Sequence, residues 1–332
     1  MHLPNPRGPL SQFVLDELNV APHPFPASPP VEGDGLADDD LQLALYVCYE
    51  LHYRGFDDVD ERWEWEPSLI AFRASLEAHF EQTLRARLGA PSLPAQKIPE
   101  TLEGLAQPNG QPSLPRYVEN HADLENVREF LVHRSIYHLR EADSHTWALP
   151  RLTGRPKAAL VEIQMDEYGS GAEERMHSTL FRDTLDALGL DTEYGSYIDR
   201  VPGVTLAGVN LMSFFGLHRK WRGACVGHLA LFEMTSSDPN RRYARGIRRL
   251  GYGSEATTFF DEHVEADSIH EVIAANDLAG TLANESQEMA DDILFGARAL
   301  DLVDGLFSEH VLNRWQKGAT SLLEQQPSAT RS

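Results

Sequence analysis

From Pro115 onward the apolar residues recur at helical spacing almost without interruption, and this feature leaves few architectures open. The segments run roughly over 119–149, 156–188, 204–235, 239–251, 255–277 and 282–315. Gly189, Gly251 and Gly280 stand where helices should stop, and Asp238-Pro239 stands where one should start. Alternating β-branched runs of useful length and repeats of fixed period are both lacking. The fold class expected is therefore all-α, with a bundle-like core.

The N-terminal part is organised differently. Residues 1–38 are rich in Pro and Gly, hold no sustained period and read as an irregular arm. An acidic run, Asp38 to Asp40, then precedes Leu41, Leu43, Leu45, Tyr46 and Tyr49, which predicts a helix start. A second helical segment covers Pro67 to Leu88, and the stretch from Gly89 to Pro115 is again Pro- and Gly-rich. The expected organisation is an arm over 1–38, a helical N-terminal subregion with its linker over 39–115, a main helical domain over 116–318 and a disordered tail over 319–332.

Composition narrows the function classes. Of the 332 residues 42% are hydrophobic and 24% charged, enough apolar surface for a packed core and too much for wholesale disorder. No apolar run is long enough to span a membrane, and Met1 to Leu10 has no signal-like apolar stretch. The two cysteines, Cys48 and Cys225, sit in no paired-ligand spacing and are read as reduced buried thiols. These features together give an expected cytoplasmic location. A formal net charge of −22 argues against a nucleic-acid partner.

The candidate chemistry lies in three segments. His263, Asp267 and His270 fall at i, i+4 and i+7, so a helix would project all three from one face. Facing the interior, such a stripe needs a metal or dense hydrogen bonding; facing water, it would be a solvated surface. Glu174 and His177 form a Glu-x-x-His pair, with Glu167 two turns earlier on nearly the same face of the segment from Pro156. Gly169 and Gly171 between them predict a kink or local unwinding. The segment from Glu119 offers Glu141, Asp143, His133, His138 and His145, among which the pattern makes no choice.

Glu141, Glu167, the Glu174/His177 pair and then His263, Asp267 and His270 resemble, in order and spacing, the ligand set of the haem-oxygenase-like di-iron oxidase and oxygenase superfamily. The similarity is greatest to the central domain of its streptozotocin-pathway N-oxygenase branch and covers roughly 119–315. The resemblance implies a haem-oxygenase-like helical bundle, with the N-terminal helices as an arm, that holds two Fe2+ ions and uses O2 as co-substrate. Carried over by position, Glu141, His177 and His270 would hold one iron, and Glu167, His263 and Asp267 the second. Glu174 would bridge, and Glu174 and Glu167 are the residues expected to act in catalysis.

The same resemblance implies oxidation of a small molecule: N-oxygenation of an amine or amino acid, or alternatively oxidative C–C cleavage or desaturation of a fatty acid or amino acid. An external electron donor and a homodimer built on the helices of 39–88 are further expectations. Arg242 and Arg245, at helical spacing before the histidine helix, are candidate grips for a substrate carboxylate, against a plain reading as a solvated basic face. Haem binding, or a non-enzymatic helical protein, are the rival readings.

Overall fold

The computed structural model describes residues 1–90, 92–107, 110 and 113–324, with the backbone alone for 267–269. Every regular element among the described residues is helical, as the apolar spacing predicts.

The N-terminal elements are α1 (Pro9–Leu18), α2 (Asp39–Glu50), α3 (Pro67–Leu88) and α4 (Ile98–Ala106). Asp38 caps α2 by accepting from the Leu41 amide at 2.8 Å, and Asp39 and Asp40 lie at the positive end of the helix dipole. Leu41 to Glu50 are all buried, so α2 has no solvent face and runs through the core. It packs on α10 (Gly203–Leu217), itself buried almost throughout. Each of these large side chains contributes about 1.5–3 kcal/mol by leaving water.

Several sequence expectations change here, among them the helix expected over 204–235, which breaks after Leu217 and restarts at Arg222. Within residues 1–38, read as irregular, Pro9–Leu18 is a helix: Leu10, Val14, Leu15 and Leu18 form a buried stripe, and Asp40 accepts from the Leu10 and Ser11 amides. The start of the tail is ordered as well. Ser321 is buried with its hydroxyl 2.7 Å from Glu129, and the Leu323 amide donates to the Arg200 carbonyl at 2.7 Å; residues 325–332 lie outside the described residues. The segment 119–149 is broken into α5 (Leu114–Asn120), α6 (Leu124–His138) and α7 (Asp143–Thr146), because Asp123 caps a new start and Ala142 turns left-handed at φ 73°.

The remaining elements are α8 (Gly154–Glu167), α9 (His177–Ala187), α11 (Arg222–Met234), α12 (Ser237–Arg249), α13 (Ser254–Val272), α14 (Thr281–Ala283) and α15 (Gln287–Trp315). A π-helix, Ile273–Gly280, follows α13 directly. Helix α15 lies hard against α11: a Cβ on Gly227 would strike the Ile293 carbonyl, and one on Gly296 the Ala224 carbonyl. One apolar core joins α1–α4 to α10, α11 and α15. A second gathers α5, α6, α9, α12 and α13, and the polar centre lies beside it.

Candidate metal centre

Three local devices bring the polar residues together. Helix α6 ends at His138, and the turn that follows points Glu141 inward, where His138 Nδ1 meets Glu141 Oε1 at 2.8 Å. Gln164 on α8 donates to the Ala142 carbonyl at 3.0 Å and ties α8 to that turn. Helix α8 then stops at Glu167, and the chain folds back through Gly169, Ser170 and Gly171, all at positive φ. At Gly169 a Cβ would lie 2.6 Å from the Arg175 carbonyl carbon, so this close approach needs glycine. The reversal sets His177, first residue of α9, with its Nδ1 3.0 Å from Glu167 Oε2.

Opposite, α13 presents His263 and His270. His263 Nδ1–H donates to the Phe259 carbonyl at 2.8 Å, which fixes the tautomer and leaves Nε2 facing Glu141 Oε1 at 3.6 Å. Its ring also lies 4.3 Å from that of His177, centroid to centroid. His270 stands between Asp166, 2.9 Å from Nε2, and Glu233 of α11, 3.3 Å from Nδ1.

Ligand atoms of Glu141, Glu167, His177 and His263 all lie within 4.8 Å of one another, and so do those of Glu167, Glu233 and His270. All six residues are buried, and Glu167 belongs to both groups. Among the sequence-predicted residues the structure therefore gathers Glu141, Glu167, His177, His263 and His270. Glu174 is not among them. It is exposed on the short turn Glu173–Arg175, because the break after Glu167 ends the helical register that would have set it beside His177. The Asp267 side chain lies outside the described residues. Arg242 and Arg245 are engaged elsewhere: both bind Glu119 of α5, at 2.6 and 3.2 Å, as a basic face and not as a grip at the centre.

One residue escaped the sequence reading: Glu233, a lone acid closing an apolar run on α11. His138, one of the candidates in the segment from Glu119, is the partner of Glu141.

The electrostatics suit a cation. Burial pushes Glu141 up, but His138 and His263 outweigh it and hold the carboxyl well below its usual range. For His270 burial acts downward, yet Glu233 and then Asp166 reverse it and raise the imidazole to about 9. His177 is raised as well, against the downward pull of burial, chiefly by Glu167. By contrast His145 is lowered to about 4, and His228 lies well below its ordinary value, both chiefly by burial.

Glu141 Oε2 is buried without a hydrogen-bond donor, Glu167 Oε2 has beside it the His177 imidazole, and the cavity between the two carboxylates is lined by no Lys or Arg among the described residues. Buried anionic oxygens in that state are costly, and a metal cation would satisfy them. Carboxylate oxygens mixed with imidazole nitrogens, and no thiolate, match iron or manganese better than structural zinc.

The profile of the family described as iron-containing redox enzyme matches residues 128–304, more than half of the chain. The chain belongs to that family. It is accordingly an oxidoreductase of all-α, haem-oxygenase-like fold, and both His/Glu groups fall within the matched span. It is also similar to the nitrosourea synthase of Streptomyces achromogenes subsp. streptozoticus, 27% identical over 179 residues, which are 53% of this chain and 38% of that protein. The matched part thus spans well under half of the relative's length. Among the described residues no helix is long and apolar enough to cross a membrane.

Proposed function

We propose that this iron-containing redox enzyme holds two ferrous ions and uses dioxygen to oxidise the nitrogen of a small amine. The observation that carries the reading is the pair of buried ligand groups sharing Glu167, with three carboxylates, no Lys or Arg, and a Glu141 oxygen that no donor satisfies. One group would be Glu141, Glu167, His177 and His263; the other would be Glu167, Glu233 and His270, with Asp267 proposed as a further ligand. The similarity to a nitrosourea synthase favours nitrogen over carbon as the reacting atom.

Bound iron would supply the electrons that activate dioxygen. The chain's residues do the rest. The Phe259 carbonyl orients the His263 ring with Nε2 toward Glu141, and His138 orients Glu141. His270, protonated between Glu233 and Asp166, must release its proton to become a ligand, so ion uptake and proton release are coupled. Phe259, Phe181 and Phe232 keep the surroundings apolar and exclude water.

The test is anaerobic loading with ferrous iron, then exposure to 18O-labelled oxygen with a panel of small amines and of fatty and amino acids. Two equivalents of iron per chain and label in an N–O product are expected. Chain-shortened acid or alkene products would move the reaction to carbon, and a Soret band with haem but no iron uptake would end the di-iron reading.

A further inference from the structure

Beside the metal centre lies a second, larger cavity of about 60 Å³, walled by α6, α10, α11 and α15. The two cavities share Tyr137 and Phe232, whose rings meet edge to face with centroids 5.6 Å apart. An imidazole pair crosses the same partition. His145 lines the inner side and His228 the outer, with His145 Nε2 3.1 Å from His228 Nδ1. The outer cavity is therefore the inner one's neighbour through a single layer of side chains.

The outer wall is largely aliphatic, with Val204, Val209, Met212, Leu300 and Val303. Its polar groups are mostly engaged already. His133 Nδ1 lies 2.8 Å from Thr205 Oγ1 and Nε2 3.0 Å from Ser321 Oγ, while the more exposed Arg134 pairs with Asp304 at 3.3 Å.

Gly208, in the interior of α10, faces this space. A Cβ there would meet nothing nearer than Val303 Cγ1 at 3.9 Å, an ordinary contact. The buried helical glycines Gly216, Gly227, Gly246 and Gly296 differ, because a neighbouring backbone carbonyl takes the place of each missing Cβ. Gly208 has no such steric reason, yet it costs its helix about 1 kcal/mol relative to Ala. Its effect is to leave the cavity wall bare.

A mainly apolar space one side-chain layer from the metal centre, its few polar groups already paired, is the kind of site that takes the apolar part of a small organic molecule. We infer that this cavity binds the aliphatic body of the substrate, a primary amine, with the nitrogen directed past Tyr137 and Phe232 to the metal centre. In the metal-free protein Glu141, Glu167 and Glu233 border the inner side and oppose a carboxylate head; with iron bound, the choice of an amine rests on the oxygenase reading. The fate of the nitrogen rests on the oxygenase reading; the binding does not.

Calorimetric titration of the metal-free chain with butylamine, hexylamine and octylamine tests it. Each added methylene should tighten binding about fourfold until the cavity is full. Gly208→Leu should weaken octylamine at least tenfold with an unchanged melting temperature, and Val303→Phe serves if that variant does not fold. Affinity independent of chain length, or octanoate bound as tightly as octylamine, overturns the assignment. Octylamine that binds with the expected dependence but is not oxidised by the ferrous-loaded protein in oxygen upholds the cavity and defeats the proposed function. Oxidation of amines that ignores both chain length and Gly208 does the reverse.

Discussion

Arg140 and Glu141 are neighbours in the chain, yet they serve two buried polar clusters of opposite character. Arg140 turns to Glu50 of α2, with Nη1 3.9 Å from Oε2, and its guanidinium lies 3.9 Å over the ring of Tyr53. Tyr194 donates to the same Glu50 oxygen at 2.7 Å, and the Arg54 amide donates to the other at 3.3 Å. That cluster matches a carboxylate with a permanent cation and with donors. The cluster of Glu141 has Glu167 and Glu233 as further acids, imidazoles as partners, and a Glu141 oxygen without a donor. A buried cluster neutralised from within holds a fold together; one left rich in acid holds a place for a cation.

Breaking either cluster should have opposite consequences. Arg140→Leu leaves Glu50 buried without its cation and should destabilise the protein by about 3–5 kcal/mol in urea unfolding, from the cost of an unpaired buried charge. A loss under about 1 kcal/mol would erase the contrast. Glu167→Gln removes the carboxylate that both ligand groups share, so ferrous affinity should fall about 100-fold, some 2.7 kcal/mol by anaerobic calorimetry, while the metal-free protein, whose His177 can lose its proton along with its partner, should be destabilised less than by Arg140→Leu. Equal iron binding in wild type and variant would mean that this cluster is structural too.

Glu233→Gln sharpens the comparison through pH. His270 is raised to about 9 in the folded protein, against burial and chiefly by Glu233. Its ion-pair contribution is fully present below the unfolded value near 6.5 and is lost as pH rises through the folded value. Melting temperatures of the metal-free wild type should therefore drop between pH 6.5 and 10, by the equivalent of roughly 1 kcal/mol, and those of Glu233→Gln much less. Parallel curves would remove Glu233 from the cluster. Arg245→Ala should have the smallest effect, within about 0.5 kcal/mol and with iron uptake unchanged, because its exposed bond to Glu119 is screened by water.

Local pattern was legible where one helix alone decides the outcome. The spacing of His263 and His270 already implied that both share one face of a helix, and α13 turns that face inward to the centre. The reading faltered where the chain breaks. Glu174 and His177 look like a pair only if their helix is continuous, and the reversal at Gly169 puts His177 in the cluster and Glu174 in solvent. Glu233 stayed hidden because nothing near it in the chain marks it as a partner of His270, which is supplied by another helix.

The sequence by itself determined the all-helical class and the stock of acids and imidazoles, because apolar period and residue type are local properties of the chain. Tertiary structure alone decided which of them converge, which are neutralised by Arg and which face water. Those outcomes depend on how helices distant in sequence approach one another, as where glycines let α11 and α15 close to backbone contact. Local periodicity tells which way a residue faces along its own helix, but what it meets there is set by the packing of the others.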